Sequence, residues 1–87
     1  MAKIFIPSPL RDLSSGIEAV ELPARTLGQA IRALDERFPG MADRLIRDDR
    51  LAPGMAASID GAIVGQGLLA KLLPDSEVHF LPAFGGG

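Results

Sequence analysis

The sequence predicts a two-layer α+β domain, with one main helix packed across a mixed sheet of four to five strands. Three observations carry this. A single segment has an apolar stripe at helical spacing, short strand-like runs bounded by Pro and Gly stand on both sides of it, and the stripe covers one helix face only. A helix with one apolar face needs a sheet to lie on, and two hairpins flanking it supply one.

The elements follow in order. In "AKIFIP", Ile4 and Ile6 share one face and Lys3 and Phe5 the other, which reads as a strand closed by Pro7. "SPLRDLSSG" combines turn residues with Leu10 and Leu13, so it is a loop or helical turn that packs back on the domain. "IEAVEL" is a second strand, with Val20 and Leu22 inward, Glu21 outward and Pro23 at its end. In "TLGQAIRALDERFPG", Leu27, Ala30, Ile31, Leu34 and Phe38 recur at helical spacing. Thr26 and Gln29 form a capping-box pattern at its start, and Phe38-Pro39-Gly40 stops it. "MADRLI" offers one more helical turn and "DDRLAPG" a polar connection. "MAASIDGAIV" reads as two short strands joined at Asp60-Gly61, a favoured two-residue hairpin turn. "GLLAKLL" is an apolar turn or short helix, "PDSE" a tight turn, and "VHFL" the last strand. Compact closure places that last strand beside the first, in the middle of the sheet. Residues 78 to 81 are then anchored and everything after Pro82 projects from a rigid edge.

Composition narrows the function classes. Eighty-seven residues make one domain, in which only about 60–65% of the unfolded surface can be buried. Hydrophobic residues at 47% and charged residues at 23% are globular proportions and argue against disorder. The absence of cysteine excludes disulfides, thiolate metal sites and a cysteine nucleophile. A net charge of −2 gives no footprint for nucleic acid, and the arginines are interspersed with acids. There is no Trp or Tyr to stack on bases. No membrane-spanning run and no signal-like N-terminus are present, so a cytoplasmic protein with no membrane partner is expected.

Side-chain chemistry finds no constellation. His79, the single histidine, lies in the last strand with only Glu77 near it on the same face, and reads as a surface residue. Ser14, Ser15 and Ser58 read as turn formers, and Asp48-Asp49 among arginines as a solvated loop. "GAIVGQG" lacks the strand-to-helix context of a phosphate loop. No metal site and no catalytic residues are expected. Phe5, Phe80 and Leu81 are core residues unless one-sided exposure turns some of them into a docking patch.

What remains is "LPAFGGG". From Leu81 to Gly87 no side chain is charged, and glycine without a Cβ can thread a narrow channel and leave a terminal carbonyl open to attack. The same glycines are equally compatible with a frayed end.

The order of "PLRDL", "VELPARTLGQAIRALDERFPGM", "IDGAIV", "LLPDSEVHFLPA" and a C-terminal Gly-Gly resembles the MoaD/ThiS family of ubiquitin-like sulfur carrier proteins, from Ile4 to Gly87. The resemblance implies a β-grasp fold, with a domain over residues 1–82 and a flexible glycine tail over 83–87. It implies a non-enzymatic carrier whose Gly87 carboxylate is adenylated by an ATP-dependent, E1-like activating enzyme and converted to a thiocarboxylate. A sulfur-accepting synthase would then take that sulfur for molybdopterin, thiamine or cysteine biosynthesis. Gly86 and Gly85 would contact the activating enzyme, and Leu81, Pro82 and Phe84 would dock partners. No cofactor would be held permanently, since ATP is used by the activating partner. The chain departs from the family pattern at Ile59-Asp60-Gly61, where Val-Asn-Gly is usual, at the large Phe84, and in having three terminal glycines. Its opening "IFIPSPLRDL" and its "IRDDRLAPG" connection look more like the cysteine-pathway carriers and related longer members. Two alternatives stand beside this reading: a protein modifier joined to lysine through Gly87, and an interaction subunit with an inert tail.

Overall fold

Alternation along the first strand sets the sheet's two faces. The computed structural model describes residues 1–65 and 67–82. Strand β1 (Ala2–Phe5) buries Ala2 and Ile4, with Ile6 just beyond it, and pairs antiparallel with β2 (Ala19–Leu22), placing Ile4 opposite Val20. The link between them contains a 3₁₀ turn (Ser8–Leu10) whose Leu10 is buried, so the loop packs back as its leucines require.

Helix α1 (Leu27–Arg37) buries Leu27, Ala30, Ile31 and Leu34 into one core with the inner sheet face. Its N-cap is built from both sides. Gln29 N–H donates to Thr26 Oγ1 at 3.1 Å, and Arg25 N–H donates to Gln29 Oε1 at 2.9 Å, one residue earlier than a standard capping box. The Leu27 and Gly28 amides donate to the carbonyls of Ala70 and Leu68 at 2.9 and 2.8 Å, so a distant segment closes the helix start. That approach is close: a Cβ on Gly28 would lie 3.2 Å from the Leu68 carbonyl oxygen, so any larger residue would push the segment back by a few tenths of an ångström. At the other end Asp35 Oδ1 accepts from Gly40 and Ala42 N–H at 3.0 and 2.9 Å, starting α2 (Met41–Leu45), which buries Met41 and Leu45.

The connection expected to be merely polar is a small hairpin of β3 (Ile46–Arg47) and β4 (Arg50–Leu51), turning through Asp48 and Asp49 at φ +54° and +60°. Leu51 is fully buried, which gives the hairpin its anchor. Strand β5 (Met55–Ile59) turns at Asp60-Gly61 into β6 (Ala62–Ile63), as expected. Ser58 therefore stands inside a strand rather than in a turn. Within 67–73 the chain forms turns and an isolated bridge from Lys71 to Thr26 rather than a helix. Only Leu72 of its leucines is buried there, while Leu69 and Leu73 are exposed.

Strand β7 (Glu77–Pro82) completes the sheet in the order β2-β1-β7-β5-β6, parallel to β1 and antiparallel to β5. The last strand thus lies beside the first, as chain closure demanded. Among the described residues no helix is long and apolar enough to cross a membrane. The tail expected over 83–87 lies outside the described residues.

The start of β7 is fastened by Asp60. Its Oδ2 accepts from Ser76 Oγ at 2.7 Å, its Oδ1 from Glu77 N–H at 2.8 Å, and its own N–H donates to the Glu77 carbonyl at 3.0 Å. The Glu77 amide, then the Ser76 hydroxyl, hold the Asp60 carboxyl below the usual aspartate range.

Two predictions follow from this packing. Leu34→Ala, at a fully buried position facing the sheet, should cost about 2–5 kcal/mol and lower the urea midpoint. Because the folded pKa of Asp60 is depressed, its stabilisation is complete above the unfolded value, about pH 4, and is lost as pH falls through the folded value. Asp60→Asn should therefore be less stable than the parent at pH 7, and the gap should narrow in urea titrations run below about pH 4.

Candidate functional site

Residues Leu81 and Pro82 end β7, and parity decides what each part of that strand does. Val78 and Phe80 point inward and are buried. Glu77, His79 and Leu81 point to the outer face, where Leu81 is half-buried; Pro82, of the inward parity, is exposed at the strand's end. Of the three apolar residues expected to be core or patch, Phe80 is core, whereas Phe5 and Leu81 are half-buried.

His79 lies flat on the Phe5 ring, with centroids 4.1 Å apart and planes 9° from parallel. Lys3 Nζ stands 5.2 Å from the same ring centroid, and Glu77 Oε1 is 4.0 Å from His79 Nε2. Register also places Ser58 opposite His79, a juxtaposition that only strand pairing reveals. Among the described residues no side-chain hydrogen bond joins the two, so they do not form a nucleophile–base pair. Ser14 is fully buried, with its hydroxyl 2.8 Å from the Ile17 carbonyl and 3.2 Å from that of Arg11. No group of three or more metal-ligating side chains occurs among the described residues.

Beside the root of the tail runs an open groove of about 540 Å³. Its walls include Phe5, Ile6, Met55, Leu81 and Pro82, and Arg11 from the 3₁₀ turn stands at its side. Such a surface is suited to docking: apolar walls, one guanidinium, and the end of β7 at its rim. The structure thus brings Leu81 and Pro82 together with Phe5, Met55 and Arg11. Phe84, Gly85, Gly86 and Gly87 lie outside the described residues. Arg11 and Met55 were not singled out from sequence; the visible signal was "PLRDL", which gives no hint of the strand end it packs against.

Comparison with known proteins places this geometry. A chain of the BexX/CysO complex from Amycolatopsis orientalis is 26% identical over 100% of both chains, with a TM-score of 0.89. CysO from Mycobacterium tuberculosis is 23% identical, over 95% of this chain and 99% of that one, with a TM-score of 0.81. SAMP1 from Haloferax volcanii is 20% identical, over 99% and 98%, with a TM-score of 0.71. The latter two, at such identity, speak to the fold alone. No curated protein sequence gives a significant match. The five-stranded mixed sheet with its crossing helix is the β-grasp, ubiquitin-like fold, and small carriers rather than enzymes are built on it in this family. The ThiS family model matches residues 4–87, and the chain belongs to the ThiS family.

Proposed function

We propose that this protein carries sulfur as a thiocarboxylate on Gly87. The observation that carries the reading is the family match, which runs through the β-grasp domain to the glycines at its end. A carboxylate is a poor electrophile. An ATP-dependent, E1-like partner would let the Gly87 carboxylate attack the α-phosphorus, releasing pyrophosphate and leaving an acyl-adenylate. Hydrosulfide then attacks the acyl carbon, the C–O bond to AMP breaks, and a thiocarboxylate and AMP result. ATP serves as co-substrate of that partner, and the carrier holds no cofactor of its own.

The chain's own residues supply position. Pro82 is the last residue of a strand bonded to β5, and five more residues can span at most about 18 Å when extended. Gly85 and Gly86 have no side chains to obstruct a partner's channel. Leu81 and Pro82, with Phe5 across the sheet, offer the partner an apolar surface, and Phe84 would add a further apolar side chain for it. A sulfur-accepting synthase would take the thiocarboxylate next, in cofactor biosynthesis (molybdopterin or thiamine) or cysteine biosynthesis. The "IFIPSPLRDL" opening favours the cysteine route.

Intact-mass measurement of protein isolated from its own host should find one oxygen exchanged for sulfur at Gly87. Isopeptide-linked Gly87 on lysines with no thiocarboxylate form would replace this reading with a protein modifier. Removing Gly86 and Gly87 should abolish adenylation with the urea midpoint unchanged; full function after that deletion would mean an inert tail. Leu81→Asp should raise the KM for the carrier in ATP–pyrophosphate exchange by about tenfold or more, since it places an unpaired charge in the docking surface.

A further inference from the structure

Arg11 is held at three points. Its N–H donates to the Ser8 carbonyl at 3.2 Å, its carbonyl accepts from Gly16 N–H at 2.8 Å, and its side-chain Nε–H donates to the Ile6 carbonyl at 3.2 Å. The backbone is fixed by the turn, and the guanidinium is oriented by the end of the first strand. The side chain is half-buried along the groove that ends at Leu81 and Pro82. Among the described residues no carboxylate forms an ion pair with it; the two ion pairs present involve Met1 with Asp75 and His79 with Glu77.

We propose that Arg11 is a specificity-determining residue that receives a carboxylate of the activating partner, an inference that rests on the sulfur-carrier reading. With Nε committed to Ile6, the two terminal NH₂ groups remain, and together they match the two oxygens of one Asp or Glu. The occupant of the groove is therefore a partner segment that sets an apolar side chain against Phe5, Met55 and Leu81 and an acidic one against Arg11. The pre-ordering of Arg11 matters here. An arginine already pinned at Nε and along its backbone loses less freedom on pairing than a free surface arginine, so more of the pairing energy reaches the complex. A role confined to holding the 3₁₀ turn would use Nε alone and leave partner recognition untouched.

The test is ATP–pyrophosphate exchange by the cognate activating enzyme, with full-length carrier as the varied substrate. Arg11→Ala should raise the KM for the carrier by about tenfold or more and leave kcat within about twofold. Arg11→Lys should recover only part of the loss, because an ammonium cannot bind a carboxylate in two-pronged fashion. The fall in kcat/KM with added salt should be steeper for the parent than for Arg11→Ala. A parent-like KM in Arg11→Ala, full rescue by lysine, or equal salt slopes would each overturn the proposal while leaving the carrier reading in place. A parent protein that supports no exchange at all would remove that reading, and this inference with it. Should Arg11→Ala lose its cooperative unfolding transition, the salt dependence of the parent decides alone: a flat profile overturns the proposal.

Discussion

Strand β7 is bonded on both sides, parallel to β1 and antiparallel to β5, and the two hairpins meet only through it. Each hairpin alone would be marginal in water, because two strands bury too little apolar surface to offset the ordering of the chain. Inserting the last strand between them makes one five-stranded face on which α1 can lie. It also joins the two ends of the chain: Ile4 pairs with Val78, and both are fully buried. Because this contact spans nearly the whole sequence, the entropy of closing the chain must be offset before the contact stabilises anything, which slows folding. The clamp by Asp60 at Glu77 acts at the point where that insertion begins, and it is made by the turn that ends the neighbouring strand.

The same strand divides the domain into a side that packs the core and a side left open. Its inward residues share the core with Ile31 and Leu34 of α1. Its outward residues share a surface with Phe5, whose ring is covered by His79 rather than by helix. A sheet with one covered and one open face is ordinary for antiparallel pairs but less so for a parallel one, where crossover connections commonly cover both faces. Here the connection from β1 to β7 passes over the inner face only, through α1, and the outer face stays open at the strand end that leads to the tail. The arrangement makes a rigid apolar surface available without disturbing the core.

Much of this was legible because it rests on local signals. The α1 stripe, its Thr26 cap and the Asp60-Gly61 turn are each stated within a few residues, and the adjacency of β1 and β7 follows from closing a short chain with apolar strands at both ends. The hairpin of β3 and β4 escaped because Asp48-Asp49 lacks the glycine that normally marks such a turn, although both residues adopt the left-handed conformation it requires. Residues 68–73 read as a helix or turn because a short leucine-rich run has no decisive period. Their structure is set by hydrogen bonds to the start of α1, some forty residues away, and local sequence cannot express that. At the site, Leu81 and Pro82 were visible as the end of the last strand. Arg11 was not, because its meaning depends on the Ile6 carbonyl and on a strand end at the other extreme of the chain.

Separation of folding from docking along one strand has a consequence for how changes in this protein should partition. At Val78 and Phe80 a truncated side chain leaves a void in a close-packed core, and the loss falls on stability. At His79 and Leu81, one residue away in each case, the side chain is half solvated in the free protein, so truncation removes little that folding uses and the loss falls on association. Phe5 extends the same rule to the flanking strand, being half-buried where it walls the groove, whereas Met55, opposite Pro82 and of the same parity as Phe80, also packs against the core and serves both sides. The Asp60 clamp crosses the division too, since it holds the whole strand and with it both faces. On the proposed function the reactive atom belongs to the main chain and there is no catalytic side chain to protect, so the constraints on the domain reduce to these two: keep β7 in the sheet, and keep its outer face open.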